Sequence, residues 1–319
     1  MKREIWASLA ARSPAVRFLD VNLRGAGQAI FQDNPLSGAL FLAAITVGSL
    51  RADAPEVIAG AVAGVVVSTV TALLLRADGE SLKQGLFGFN GVLVGVAAAT
   101  FLESSAAMWL LTLVGAAAST VVMLAVSKAL EAWKLPALTF PFVLTTWLVL
   151  LAAYAFEAVT IGPMAPPALV ESAAAHPATG DVDLLPALLK APAQVFLIND
   201  SAAGVLVLAG LAVGALPAAA AAALGSAAAL AVALALGTDP AATSAGLYGF
   251  SPVLTAVAVG CVFRKPSWRV AAYALFATVF TVIVQAALNT GLSPAGIPAL
   301  TMPFVLVTWL FLLGDRETE

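Results

Sequence analysis

Cysteine and histidine occur once each, as Cys261 and His176, and only 10% of the residues are charged. A single cysteine excludes a disulfide framework within the chain. One histidine in a Pro- and Gly-rich stretch and one unpartnered cysteine leave no cluster to ligate a metal and no nucleophile–base pair. No enzyme, no metal site and no cofactor is therefore expected. Cys261 ends an apolar run and reads as a small packed side chain, and His176 reads as an exposed loop residue. The shortage of charge excludes more. Soluble domains carry about 25% charged residues, and a chain this poor in them cannot cover a globule with polar groups. The formal net charge of −3 gives nothing that would attract nucleic acid. The opening MKREIWASLAARSPAVRFLD begins basic but has no continuous apolar core, so it is not read as a cleaved signal peptide.

What is present in abundance is apolar: 61% of the residues are hydrophobic. Charges are clustered, which leaves neutral runs at 57–75, 84–102, 104–127, 135–156, 201–238, 240–263 and 270–314. A helix that crosses a bilayer needs about 20 mainly apolar residues. Several runs hold one such helix, and 201–238 and 270–314 are long enough for two. With the shorter run 35–50, the pattern predicts an all-α integral membrane protein with about ten transmembrane helices.

The chain repeats itself. LPALTFPFVLTTWL (135–148) returns as IPALTMPFVLVTWL (297–310) with eleven of fourteen positions identical. GLFGFNGVLVGVA (85–97) returns as GLYGFSPVLTAVA (246–258), and GQAIFQDNPLSGALFLA (27–43) returns more faintly as AQVFLINDSAAGVLVLA (193–209). Two homologous units follow, residues 1–160 and 185–319, joined by an extramembrane connector, 161–184, rich in Pro, Gly and acid. Five spans per unit is an odd number, so the second unit enters the membrane from the opposite side and the two five-helix repeats are inverted. With the N-terminus in the cytoplasm, Lys2, Arg3, Arg12, Arg17, Arg24, Arg76, Lys83, Lys128, Lys134, Arg264, Lys265, Arg269 and Arg316 fall inside, 13 of the 15 basic residues, and Arg51 and Lys190 fall outside. That agrees with the positive-inside bias and places both termini in the cytoplasm.

Each repeat carries the same unusual parts. Pro136 and Pro141, with their mates Pro298 and Pro303, stand where a helix begins, because proline suits a first turn and breaks an interior one. Thr139 and Thr301 lie between them. Irregular backbone at membrane depth is tolerated only where protein buries it or it lines a wet cavity, so each unit offers an interrupted helix, a hydroxyl and spare carbonyls. The plainer reading is a duplicated packing motif with each threonine bonded back to its own helix. Phe89 and Phe250 match, as do Leu93 and Leu254 one turn on; facing across a two-fold axis they would wall a flat slot, and alone they would be lipid-facing or core residues. Gln28 and Gln194 are polar in apolar surroundings, with Phe31 and Leu197 three residues on. Each glutamine either offers an acceptor to a passing solute or caps a helix. LPALLKAPAQVFLIN reads as a re-entrant half-helix. Asp33 and Asp200 are read as a further matched pair, as caps or structural acids, with Asn34-Pro35 a helix start.

QDNPLSGALFLAA, the GLFGFN and GLYGFS blocks and the doubled PALT-x-PF-x(3)-TWL resemble the urea transporter family over nearly the whole chain. The resemblance implies two inverted five-helix repeats, each with a re-entrant half-helix, assembled as a homotrimer with one pore per subunit in the lipid of a cell inner membrane. It implies passive, channel-like movement of urea. By its pattern Gln28 and Gln194 belong to an oxygen-lined path, Thr139 and Thr301 to its narrow centre, and Phe31, Phe89, Phe250, Leu93, Leu254, Val195 and Leu197 to an apolar slot. Bacterial members can carry Glu at the position of Gln194, and NPLSG is degraded to DSAAG in the second unit. Rival readings keep the fold and change the cargo to short amides, ammonia or water, or add ion coupling through Asp33 or Asp200.

Overall fold

A computed structural model describes residues 2–164, 166–169 and 180–314. His176, Arg316 and residues 170–179 of the connector lie outside the described residues. The fold is all helical. Among the described residues there is no strand, only an isolated bridge between Leu102 and Ile161.

The helices are α1 Lys2–Arg12, α2 Pro14–Gln28, α3 Pro35–Arg51, α4 Glu56–Leu74, α5 Gly79–Lys83, α6 Phe89–Phe101, α7 Ala106–Leu130, α8 Phe140–Ala153, α9 Leu184–Ala193, α10 Ser201–Gly214, α11 Leu216–Leu236, α12 Pro240–Ser244, α13 Phe250–Val257, α14 Trp268–Leu292 and α15 Met302–Leu313. The element order repeats. α3, α5, α6, α7 and α8 begin at 35, 79, 89, 106 and 140; α10, α12, α13, α14 and α15 begin at 201, 240, 250, 268 and 302. The second unit departs where α10 and α11 are joined by Ala215 alone and where α13 continues into a π turn at Ala258–Val262, and α1 has no counterpart in it.

Among the described residues four helices are long and apolar enough to cross a membrane alone: α4, α7 with its following turn, α11, and α14 with its following turn. Residues 184–196 and α10 qualify only together and are bent by 71° at the break between them. α3, α6, α8, α13 and α15 are apolar but shorter. At 1.5 Å per residue a 14-residue helix such as α8 is about 21 Å long, short of the roughly 30 Å hydrocarbon layer. Non-helical chain precedes both, 135–139 before α8 and 297–301 before α15.

α3 and α10 lie side by side in opposite directions. Gly48 near the end of α3 is pressed on Ile198 ahead of α10, and Gly214 at the end of α10 is pressed on Gln32 and Ser37 at the start of α3. Arg51 pairs with Asp200 at 3.0 Å across the same junction. These contacts also correct the pairing of the acids. Asp200 is the N-cap of α10 and accepts from the Ala203 N–H; the residue that does this for α3 is Asn34, whose side chain accepts from Leu36 N–H. Asp33 stands one step earlier, opposite Asn199, because Asn34-Pro35 starts the first helix where Asp200-Ser201 starts the second.

α4 and α6 approach closely on facing glycines. A Cβ on Gly64 would run into the Gly91 carbonyl, and one on Gly95 into that of Gly60. Small residues spaced four apart are what brings helices together in lipid, where no hydrophobic force separates helix from tail. One core then runs through both halves, containing Phe89, Leu93, Leu138, Phe142, Val195, Phe250, Leu254, Leu300 and Phe304, with Phe31 and Leu197 packed against it. Outside it, Leu74, Leu110, Leu148, Leu224 and Phe276 are exposed. Less than half of each long span is buried within the chain, from 28% to 44%.

Candidate functional site

The two copies of PALT meet. Thr139 Oγ1 and Thr301 Oγ1 are 2.6 Å apart and hydrogen-bonded, with 3% and 2% of each residue exposed. Among the described residues neither hydroxyl is bonded back to its own helix. A hydroxyl carries one donor and two acceptor positions. The bond between the two uses one donor and one acceptor, which leaves the pair with one O–H donor and three lone pairs for a third molecule.

The segments that carry these threonines are gripped reciprocally. Trp147 Nε1 donates to the Pro298 carbonyl at 2.9 Å, and its counterpart Trp309 Nε1 donates to the Pro136 carbonyl at 2.8 Å. Both chains reach the threonine through a left-handed leucine, Leu138 at φ 53° and Leu300 at φ 51°. A leucine in that region is strained, and strain of this kind persists only where the surroundings over-determine it. Its effect is to keep the backbone out of helix. Among the described residues the carbonyls of Leu138 and Leu300 accept no hydrogen bond. The hydroxyls of Thr146 and Thr308, each next to its tryptophan, are buried and unpartnered as well.

The glutamines are held in matching fashion. Gln28 Nε2 donates to the Gln84 carbonyl at 2.9 Å, and Gln194 Nε2 to the Ala245 carbonyl at 2.8 Å. Each bond is also a capping bond, because Gln84 and Ala245 are the C-cap residues of α5 and α12, and Gln194 is itself the C-cap residue of α9. Because the carbonyl takes the NH₂ group of each amide, Oε1 is turned elsewhere as an acceptor. The local cause is the glycine after each carbonyl. Gly85 at φ 74° and Gly246 at φ 77° turn the chain hard against Arg24–Gly25 and Lys190–Ala191, where a Cβ would collide. The first loop is shaped further by Asp78, which caps α5. The Ser81 N–H and hydroxyl, with the Glu80 N–H and Lys83, hold its carboxyl below the usual carboxylate range against a small opposing effect of burial.

The apolar candidates are brought into one body without being stacked. Phe89 and Phe250 are 6% and 5% exposed at the starts of α6 and α13, and among the described residues their rings make no aromatic contact. Leu93, Leu254 and Val195 are buried beside them. Phe31 stands edge-on to Phe263 and Phe304 at 5.8 and 6.1 Å. Phe31 and Leu197 share left-handed backbone, φ 58° and 56°, and each lines a cavity. Phe31 lines one of about 740 Å³ with Trp6, Arg24, Asp33 and Gly214. Leu197 lines one of about 620 Å³ with Gly48, Arg51, Glu103 and Asp200. The two cavities lie at opposite ends of the α3/α10 pair, with the threonine centre in neither lining. Asp33 and Asp200 are both paired, with Arg24 and Arg51. Arg24 also binds Asp20 at 2.7 Å, and Asp20 accepts from Trp6 Nε1 at 2.5 Å.

Sequence reasoning passed over Trp147, Trp309 and Asn90. The tryptophans sit inside the repeated motif and could have been found there. Asn90 could not, because it is where the repeat breaks, with Ser251 opposite.

A family model described as "Urea transporter" matches residues 19–316. Urea transporter 1 of sheep (Ovis aries) is 30% identical over 308 residues, covering 96% of this chain and 79% of that protein. Urea transporter 1 of goat (Capra hircus) has the same identity and coverage, and that of rat (Rattus norvegicus) is 30% identical over 305 residues, 95% of this chain and 78% of its own.

Proposed function

The chain belongs to the urea transporter family, and from that premise we propose a passive channel for urea. The path runs from the cavity beside Phe31 to the cavity beside Leu197, between Phe89, Leu93, Phe250, Leu254 and Val195, and its centre is the Thr139–Thr301 pair. The observation that carries this reading is that central contact. Two duplicated threonines, 162 positions apart, are bonded at 2.6 Å and backed by strained leucines whose carbonyls are unused.

Urea is flat and neutral, with N–H donors on its edges and one acceptor. Taking it out of water without replacement bonds costs several kcal/mol. The Oε1 atoms of Gln28 and Gln194 and the Leu138 and Leu300 carbonyls accept N–H groups; the hydroxyl pair accepts and donates. The phenylalanine and leucine walls select a thin solute and give an ion nothing in exchange for its hydration.

The layout in this reading is two inverted five-helix repeats, residues 1–160 and 185–319, each opening with a re-entrant half-helix, α2 or α9, and joined by an extramembrane connector, 161–184. The opposed directions of α3 and α10 support the inversion. The placement of 13 of 15 basic residues on one side supports cytoplasmic termini in a cell inner membrane, so that the Phe31 cavity opens inward and the Leu197 cavity outward. Exposed apolar faces on the long helices fit lipid and the neighbours of a homotrimer. Because Asp33 and Asp200 are occupied by arginines, ion coupling has no support.

The test is stopped-flow light scattering on proteoliposomes, comparing urea, acetamide, glycerol and water, with Thr139→Val plus Thr301→Val as control. Fast urea flux that follows its gradient and is lost in the double variant supports the channel and its centre. Urea flux equal to that of empty liposomes, from folded and inserted protein, ends the proposal.

A further inference from the structure

The two central segments are built alike but held differently. The Phe142 N–H, three residues past Thr139, donates to Asn90 Oδ1 at 3.0 Å. The first N–H groups of a helix have no partner within it, and Phe142 lies in the first turn of α8. Its acceptor comes from a neighbouring helix. Asn90 is 1% exposed, directly follows Phe89 on α6, and sends Nδ2 to Met123 Sδ of α7 at 3.7 Å. A single side chain thus joins the helix that carries the Phe89 wall to the segment that carries Thr139.

Among the described residues the second half has no such join. The counterpart of Asn90 is Ser251, fully buried, and its Oγ has no hydrogen-bond partner. The counterpart of the Phe142 N–H is the Phe304 N–H, which donates to nothing among the described residues. The counterpart of Met123 is Gln285, whose Oε1 is buried and unpartnered. The reason is reach: an asparagine acceptor lies one bond further from Cβ than a serine hydroxyl. What is one satisfied junction in the first half is three unmatched groups in the second.

We propose that Asn90 is a positioning residue for the centre of the path. It fixes Thr139 against the Phe89 wall, while the Thr301 segment, with serine in that place, is held by Trp147, Tyr154 and the Thr139 hydroxyl and lacks the bond to its first helical turn. Its consequence for transport rests on the channel reading above; the difference in how the two segments are held does not. The pair is therefore one anchored hydroxyl and one yielding hydroxyl, and the anchored one sets which planar solutes are accepted.

Two readouts test this on the full-length protein with Asn90→Ser, Ser251→Asn and the combined variant. Asn90→Ser installs what the second half already tolerates, and Ser251→Asn offers an amide to both the Phe304 N–H and Gln285 Oε1. The first readout is amide hydrogen exchange resolved to single residues. In the wild type Phe142 exchanges more slowly than Phe304; Asn90→Ser speeds Phe142 roughly fivefold, as the loss of one hydrogen bond implies; Ser251→Asn slows Phe304; the combined variant reverses the order. Equal exchange at the two amides in wild type, or no change at Phe142 in Asn90→Ser, overturns the proposal. If Asn90→Ser does not fold, Ser251→Asn decides alone, and an unchanged Phe304 overturns it. The second readout is the ratio of urea to acetamide permeability in proteoliposomes. It falls roughly fivefold in Asn90→Ser and returns to within about twofold in the combined variant. An unchanged ratio, or a loss that is equal for both solutes and not restored, overturns the transport role. Wild-type vesicles that pass no urea would refute the channel reading instead, and exchange would still decide whether Asn90 anchors its segment.

Discussion

Gln194 is 5% exposed and Gln28 is half-buried, yet both make the same bond to the carbonyl of the short loop helix behind them. The environments predict unequal consequences. Gln194→Leu removes a solute acceptor and orphans the part-buried Ala245 carbonyl, whereas Gln28→Leu orphans the carbonyl of the exposed Gln84, which water can reach. Urea flux is expected to fall about tenfold in Gln194→Leu and by a smaller factor in Gln28→Leu, read by stopped-flow with protein content normalised. Equal losses would mean that burial does not govern how these amides act. The sequence marked both glutamines because an amide in an apolar stretch needs a reason, and it marked Thr139 and Thr301 because they recur. It did not mark how they are held. Trp147 and Trp309 recur as well and could have been marked on that ground, but recurrence does not say which carbonyl an indole N–H will reach. A repeat search rewards identity, so Asn90, where the halves differ, carried no signal.

At the scale of elements, the interrupted helices hang on a few bonds. Trp147→Phe or Trp309→Phe keeps a ring but deletes the donor to the Pro298 or Pro136 carbonyl. Each is expected to lower stability by about 1 kcal/mol and to slow urea, measured by thermal unfolding in detergent and by flux. A loss of stability with flux intact would show that the grip serves folding alone. The loop helix α5 gives a pH-dependent case. Asp78 caps it, and the Ser81 N–H lowers the carboxyl's pKa in the folded chain. A group depressed on folding stabilises above its ordinary value, about 3.9, and that contribution disappears as pH falls through the depressed one. Protection of the Ser81 amide, corrected for its intrinsic exchange rate, is expected to be level above that ordinary value and to drop below it. Asp78→Asn, which caps without titrating, should stay level throughout. Helix existence was legible in this sequence from charge-free runs and from Asn34-Pro35. Helix length was not, because 135–139 and 297–301 are as apolar as the helices they precede and only backbone geometry separates them. The same blindness put Asp33 opposite Asp200, since matching acids by type ignores the one-residue step that the helix starts impose.

For the whole molecule, the proposed path is apolar on its faces, oxygen-bearing on its edges and charged only at its two ends, where Arg24 is paired with Asp20 and Asp33, Arg51 with Asp200, and Glu103 lines the Leu197 cavity. Such a path recognises shape and hydrogen-bonding edges, but it has no counter-charge within it. Guanidinium separates the two properties, because it has the planar three-armed outline of urea and carries one positive charge. Its N–H edges would suit the Gln28, Gln194, Leu138 and Leu300 oxygens at least as well as urea's. Its charge would have to leave water, and even after relaxation that penalty is several kcal/mol for an ion. Each 1.4 kcal/mol is a factor of ten, so a shortfall of about 4 kcal/mol slows guanidinium by roughly a thousandfold relative to urea. Proteoliposome shrinkage in guanidinium chloride and in urea, with valinomycin and potassium present to dissipate any potential, compares the two. Urea flux should also be indifferent to imposed proton and sodium gradients and should persist in Asp33→Asn and Asp200→Asn, since both acids are paired with arginines. Guanidinium crossing within tenfold of urea would mean that the oxygens along the edges, rather than the apolar faces, dominate the energetics, and the path would then be a cation-tolerant groove instead of a slot for neutral planar solutes.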